Sequence, residues 1–169
     1  MTPITEDPGA APAPLVWATR LRSAGLRVTR QRLAVLEALQ SHPHTTAEDV
    51  LGQVRAELPE ITVQSVYTVL NSLTAAGLLR RLDLSGQPAR YETQPDGASD
   101  NHHHAVCTQC GRIEDVACAV GHAPCLTPVE DHGMTIQVAD VIYQGICADC
   151  ASGTSSAQTP TDSGTAVRG

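Results

Sequence analysis

Two Cys-x-x-Cys pairs, Cys107/Cys110 and Cys147/Cys150, constrain this 169-residue chain more than any other feature. Each such turn supplies two thiolates without strain, and four thiolates arranged tetrahedrally make a closed structural zinc site. Thirty-six residues separate the pairs. That is longer than a zinc-finger loop, so the intervening segment must carry structure of its own, held at both ends by the ion. Gly111 directly follows Cys110 and eases the first turn. One pair acting as a thiol oxidoreductase is the alternative. A disulfide scaffold would suit a small secreted chain, but the opening MTPITEDPGAAPAP has neither a basic start nor an apolar h-region. No apolar run approaches the ~20 residues needed to cross a bilayer. The expectation is a cytoplasmic protein without a membrane anchor.

The net charge of −7 conceals a strong asymmetry. Residues 18–91 hold nine Arg against six acids, whereas residues 92–150 hold only Arg112 against nine acids. Lys is absent, so every fixed positive charge is an Arg. One half tolerates polyanions and the other attracts cations, which points to two domains with different partners. Residues 1–14 and 151–169 are Pro/Ala/Gly-rich or polar and aperiodic, and read as a disordered arm and tail. Between them the first domain spans 15–92, a hinge runs over about 92–101, and the second domain spans 102–150.

The first domain reads as helices followed by a hairpin. A helix over 15–24 ends at Gly25, and Thr29 caps a second through about Gln40 with Leu33, Leu36 and Leu39 inward and Arg30 and Arg32 outward. Thr46 with Asp49 starts a third helix, which Pro59 ends. Thr62 caps a fourth, with Val63, Val66, Leu70 and Leu73 on one face. Its opposite face carries Gln64, Tyr67, Thr68 and Asn71, an uncharged stripe of hydrogen-bonding groups. Gly77, Arg80-Arg81, a turn at Ser85-Gly86 and Arg90-Tyr91 predict a β-hairpin. Together these make a winged helix-turn-helix whose fourth helix enters the major groove of double-stranded DNA while Arg20, Arg80 and Arg81 hold phosphates. A plain amphipathic helix with a solvated face would explain the stripe, but neither the basic hairpin nor the charge asymmetry.

The second domain reads as α+β, with strands at 104–107, 113–117 and 135–143 and a helical stretch near 127–132. At roughly 60 residues it needs a metal staple or a partner subunit to be stable. Strand alternation places His102 and His104 on one side and His103 on the other. Glu92 and Asp115 are the carboxylates near them in sequence. Imidazoles with carboxylates suit Fe²⁺, Mn²⁺, Zn²⁺ or Ni²⁺, and softness alone does not choose among them. Cys118 and Cys125 lie outside both zinc pairs, either as a redox-switchable disulfide or as inert buried thiols.

The motifs HTTAEDV (44–50), TVQSVYTVLNSLTAAGLL (62–79), RYE (90–92), HHH (102–104), CTQCG (107–111) and CADC (147–150) resemble the Fur family of metal-responsive bacterial repressors. The resemblance runs from about Val16 to Cys150, and DNHHHAVC with CAVGHAPCLTPVEDHG is most similar to the actinobacterial FurA/CatR type, which senses peroxide. It implies a homodimer on a palindromic operator, a C-terminal dimerisation domain and control of oxidative-stress, catalase and iron-related genes. It also implies a regulatory Fe²⁺ or Mn²⁺ site at the hinge with His44, Glu92, His102, His104 and Asp115 as ligands. An additional metal would take His103, His122 and Asp140, with Asn101 standing where some relatives carry His. Asp115 resembles the peroxide sensors, whereas iron sensors usually have Glu there; Glu92 departs from the Asp of the best-known peroxide sensors. A plain iron, zinc or nickel sensor is therefore the alternative. His42 and His132 read as surface residues. A metalloenzyme would need a substrate pocket, a positioned base or an oxyanion motif, none of which is legible, so no enzyme activity is expected.

Overall fold

Thr29, Thr46 and Thr62 each close an extended stretch, and each hydroxyl accepts the backbone N–H of the residue three further on, at 3.3, 3.2 and 3.1 Å. These caps satisfy otherwise orphaned donors and start α2 (Arg30–Ser41), α3 (Ala47–Val54) and α4 (Val63–Ala75). Preceding them is α1 (Ala13–Ser23). Gly25 adopts φ +72° after it, and Leu26 N–H reaches back to the Leu21 carbonyl at 2.8 Å. Gly77, φ +70°, repeats the device after α4, with Leu78 N–H on the Leu73 carbonyl at 3.0 Å. Both are Schellman endings, whose left-handed residue is cheap only for glycine.

The computed structural model describes residues 13–84, 86–94, 102–118, 128, 130–136 and 141–153. They fall into two compact units, within residues 1–96 and 97–169. In the first unit the four helices bury Leu21, Val35, Leu36, Leu39, Val50, Val66, Leu70 and Leu73, and Trp17 and Tyr91 are the aromatic members of the same core. A three-stranded sheet completes it, with β1 (Thr45–Thr46), β2 (Leu79–Leu82) and β3 (Arg90–Thr93) in the order β1-β3-β2. Pairing is antiparallel, with Arg80 opposite Glu92 and Thr45 opposite Tyr91.

Two expectations for this unit change. Val63 is 43% exposed. As the first helical residue it lies past the rim of the core, and Val69 joins Val66, Leu70 and Leu73 in the buried stripe instead. The third helix stops at Val54, short of Pro59, because Ala56 and Glu57 tighten to bonds with Gln53 and Val54 three residues back.

The second unit holds β4 (His102–Cys107), β5 (Ile113–Ala117) and β6 (Ile142–Gly145), ordered β5-β4-β6, with β5 antiparallel and β6 parallel to β4. A single short turn of helix, α5 (Ala148–Ala151), follows. Of the strand expected over 135–143, Thr135 and Ile136 are outside any strand, residues 137–140 lie outside the described residues, and Ile142 and Tyr143 pair with β4. Of the expected helix at 127–132, Pro128, Glu130 and Asp131 are irregular and His132-Gly133 form a turn. The Asp131 carboxylate accepts Gly133 N–H at 2.9 Å, a local bond that competes with helix formation. Most of the expected arm, hinge and tail lies outside the described residues, as do Ser85, Asn101, His122, Cys125 and Asp140. Among the described residues no helix is long and apolar enough to cross a membrane.

Candidate metal centres

Cys107 ends β4, and the turn that follows closes with Gly111 N–H on the Cys107 carbonyl at 2.9 Å, Gly111 taking φ +72°. The parallel pairing of β4 with β6 sets Cys107 opposite Gly145, and Thr108 N–H bonds the Gly145 carbonyl at 2.8 Å. That register delivers the second pair, with Cys147 as the cap of α5 and Cys150 within it. All four sulfurs lie within 4.8 Å of one another, and those of Cys110 and Cys147 are 3.7 Å apart. Tetrahedral zinc with Zn–S bonds of about 2.3 Å requires sulfurs about 3.8 Å apart. The donor set therefore fits zinc in both chemistry and spacing. Backbone N–H groups of Cys110 and Cys147 point at the Cys107 sulfur and pull its thiol down to about 6, so it is largely thiolate at neutral pH.

Imidazole and carboxylate meet within each unit. In the first, His44 Nε2 is 2.9 Å from Glu92 Oε2, and Arg80 Nη1 is 3.4 Å from the other oxygen of Glu92. Glu92 is only 4% exposed, so its charge is held by these partners rather than by water. His44 adopts φ 57°, a left-handed backbone uncommon outside glycine. Its carbonyl accepts the Arg90 guanidinium at 3.0 Å. In the second unit, His104 sits directly opposite Asp115 in the β4–β5 ladder. Asp115 Oδ1 is 3.7 Å from His104 Nε2 and 3.8 Å from His102 Nε2. The two imidazoles meet edge to face at 4.9 Å. His103 points to the opposite face of β4, buried, with its ring 6.3 Å from that of Tyr143. Its expected companions His122 and Asp140 fall outside the described residues, and so does Cys125, leaving the half-buried Cys118 as the described member of that pair.

On α4 the side chains of Gln64, Tyr67, Thr68 and Asn71 are all exposed. The Tyr67 hydroxyl donates to Glu48 Oε1 at 3.0 Å. Arg81 is exposed and paired with Asp83 at 2.7 Å. Arg20 and Arg80, expected to hold phosphates, are engaged within the unit. Arg20 lies over the Trp17 ring at 4.7 Å and donates to the Gln94 carbonyl at 2.6 Å, and Arg80 is turned toward Glu92. Both are long side chains whose charge is used within the unit, where buried or half-buried acceptors outcompete solvent. Arg90, which props the His44 turn, was legible only as part of the hairpin and of RYE, with no signal for this contact.

A sequence model of the ferric uptake regulator family matches residues 23–143. The chain belongs to that family. Over 135 residues it is 53% identical to the transcriptional regulator FurA of Mycobacterium tuberculosis, covering 80% of this chain and 90% of the relative. Over 138 residues it is 32% identical to the peroxide-responsive repressor PerR of Staphylococcus saprophyticus, covering 78% and 87%. The ferric uptake regulator of Pseudomonas aeruginosa, solved with manganese, superposes with a TM-score of 0.63 at 30% identity, covering 79% of this chain and 98% of that one. The chain is thus a metal-responsive transcriptional regulator of the actinobacterial FurA type, and not an enzyme.

Proposed function

We propose that this regulator binds a palindromic operator as a cytoplasmic homodimer when iron(II) or manganese(II) is bound, and that peroxide ends repression. The observation that carries the reading is the division of its imidazole–carboxylate pairs: His44 with Glu92 in one unit, and His102 and His104 with Asp115 in the other. Each pair alone is an incomplete ligand set. One ion taking both sets would select a single arrangement of the two units, which is how a local charge becomes a change in DNA affinity. Zinc at the four cysteines would serve as the staple that the thin second unit requires.

The first unit supports the DNA half of the proposal as a winged helix-turn-helix. The uncharged stripe on α4 offers groups for base edges, and Arg81 on the hairpin offers charge for phosphate. Dimerisation is supported by the exposed apolar side chains of Ile142, Tyr143 and Ile146 in the second unit, which a second copy would cover. Peroxide sensing rests on Asp115 and on the imidazoles. Iron(II) held there would reduce peroxide, and His44, His102 and His104 are the side chains placed to take up oxygen. A plain metal sensor is the second reading, favoured by Glu92 standing where the best-known peroxide sensors carry Asp.

Peptide mass spectrometry decides between them. The chain, loaded with Fe²⁺ without oxygen, receives one equivalent of peroxide. Trypsin cuts this Lys-free chain after Arg only, so His44 lies in the 33–55 peptide and His102, His103 and His104 in the 91–112 peptide. One added oxygen on a histidine of either peptide, with loss of DNA binding, is the expected result. Intact histidines with metal-dependent DNA binding preserved would establish the plain sensor, and oxidation confined to Cys118 and Cys125 would move sensing to thiols.

A further inference from the structure

Glu48 is the one acidic side chain bonded to the polar stripe of α4 among the described residues, and the proposed function does not use it. It stands in the first turn of α3, where the positive end of the helix favours a carboxylate. Its Oε1 accepts the Tyr67 hydroxyl at 3.0 Å, and both residues are exposed. The bond is charge-assisted and joins two helices packed in one core, so it fixes a phenol that would otherwise rotate freely.

The chemical consequence lies in the hydrogen-bond inventory. A phenol whose only proton is committed to a carboxylate has just its lone pairs left for other partners, and a carboxylate has nothing but acceptors. Guanine shows O6 and N7 acceptors in the major groove and thymine shows O4, so neither can satisfy such a pair. The exocyclic amino groups of adenine (N6) and cytosine (N4) can. A phosphate is excluded as well, because it too offers no donor and repels the carboxylate.

We propose that Glu48 is a specificity-determining residue, turning Tyr67 and itself into an acceptor pair that selects an adenine or cytosine amino group in each operator half-site. This rests on the reading of α4 as the helix that enters the major groove. Neighbouring polar groups differ from this pair. Thr68 also spends its proton, on the Gln64 carbonyl at 2.9 Å, but on a neutral acceptor with no carboxylate beside it, while Gln64 and Asn71 carry amides that both donate and accept. The bond to Glu48 is also the foremost reason that the Tyr67 phenol titrates above its ordinary value.

The test is selection from a randomised duplex library with the full-length, manganese-loaded chain and its Glu48→Gln and Tyr67→Phe variants. The wild type is expected to enrich adenine or cytosine at one position per half-site. Deleting that amino group, with purine for adenine or 2-pyrimidinone for cytosine, should weaken binding about tenfold. Glu48→Gln presents an amide donor as well as an acceptor, so it should lose the preference at that position alone and admit guanine or thymine. An unchanged preference in Glu48→Gln, or no penalty for deleting the amino group, would overturn the proposal while leaving operator binding intact. Failure of the wild type to enrich any sequence would instead remove the operator-binding reading and this proposal with it. An independent readout is the ultraviolet titration of Tyr67, taken as the difference from Tyr67→Phe. It should fall back toward the ordinary value in Glu48→Ala, and no movement would show that the bond does not persist in solution.

Discussion

His44 places its imidazole on a left-handed backbone at φ 57°, a conformation that costs a non-glycine residue about 1 kcal/mol or more and persists only where its surroundings enforce it. The Arg90 bond to its carbonyl and the Glu92 contact to its ring are those surroundings. Asn tolerates the same region. His44→Asn should therefore fold normally, keep its zinc by elemental analysis, and lose manganese-dependent DNA binding in fluorescence anisotropy. The two Arg residues separate in the same way. Arg81 faces solvent, so Arg81→Ala should reduce the slope of log affinity against log salt by about 0.9. Arg20 is committed to Trp17 and Gln94, so Arg20→Ala should leave that slope alone and cost about 1–2 kcal/mol in urea unfolding. Cys107 yields a pH prediction. Its thiol is held at about 6 by backbone N–H groups, below the unfolded value near 9. The stabilisation of the thiolate is complete above that unfolded value and is lost as pH falls through 6. In zinc-free protein, alkylation of Cys107 by iodoacetamide should show its midpoint near pH 6, whereas urea should move the midpoint upward.

At the scale of elements, the caps and stops were the most legible part of the fold, because each is a local bond written in three or four consecutive residues. Thr29, Thr46, Thr62 and Gly25 do what their positions imply, while Gly77, read only as part of the hairpin, ends α4 as Gly25 ends α1, and Pro59 is not where α3 stops. Gly77 makes a sharp test, since a Cβ there would meet no atom within 4 Å. Any loss in Gly77→Ala is then conformational rather than steric, and about 1–2 kcal/mol is expected in urea unfolding, with zinc retained. What the sequence concealed is non-local. β1 is two residues long and exists only through its pairing with β3, and β6 is defined by its parallel register with β4 across about 40 positions. Val63 misled because periodicity states direction without stating where the core ends. The histidine alternation on β4 was readable from the period of a strand, whereas Asp115 opposite His104 is set by the β4–β5 register; the sequence offered Asp115 only as a nearby carboxylate and, through the resemblance, as a ligand. The Arg80 and Arg90 contacts that hold Glu92 and His44 were not readable, since nothing in a sequence says which arginine turns inward.

For the whole molecule the question is how an ion on the proposed histidine ligands would alter affinity for DNA. Charge offers one answer: residues 92–150 carry nine acids against one Arg, and a divalent cation lowers their repulsion of phosphate. Such fields decay over about 8 Å at physiological ionic strength and about 3 Å at 1 M salt. Selection of one arrangement of the two units by a shared ion is the other answer, and it does not decay with salt in this way. Coupling is also reciprocal: if manganese tightens DNA binding by some factor, operator DNA must tighten manganese binding by the same factor. The proposed site predicts a factor of roughly 10 to 100, the ordinary range for coupled sites. Measured by anisotropy at varied manganese and by metal titration with and without the selected duplex, the factor should agree in both directions. It should also stay within about twofold between 0.1 and 0.3 M KCl, even as absolute DNA affinity falls steeply. His104→Ala should reduce it to one while the four-cysteine zinc remains. A factor that collapses with salt in step with the affinity would return the effect to simple charge neutralisation and leave the bridging ion without a role.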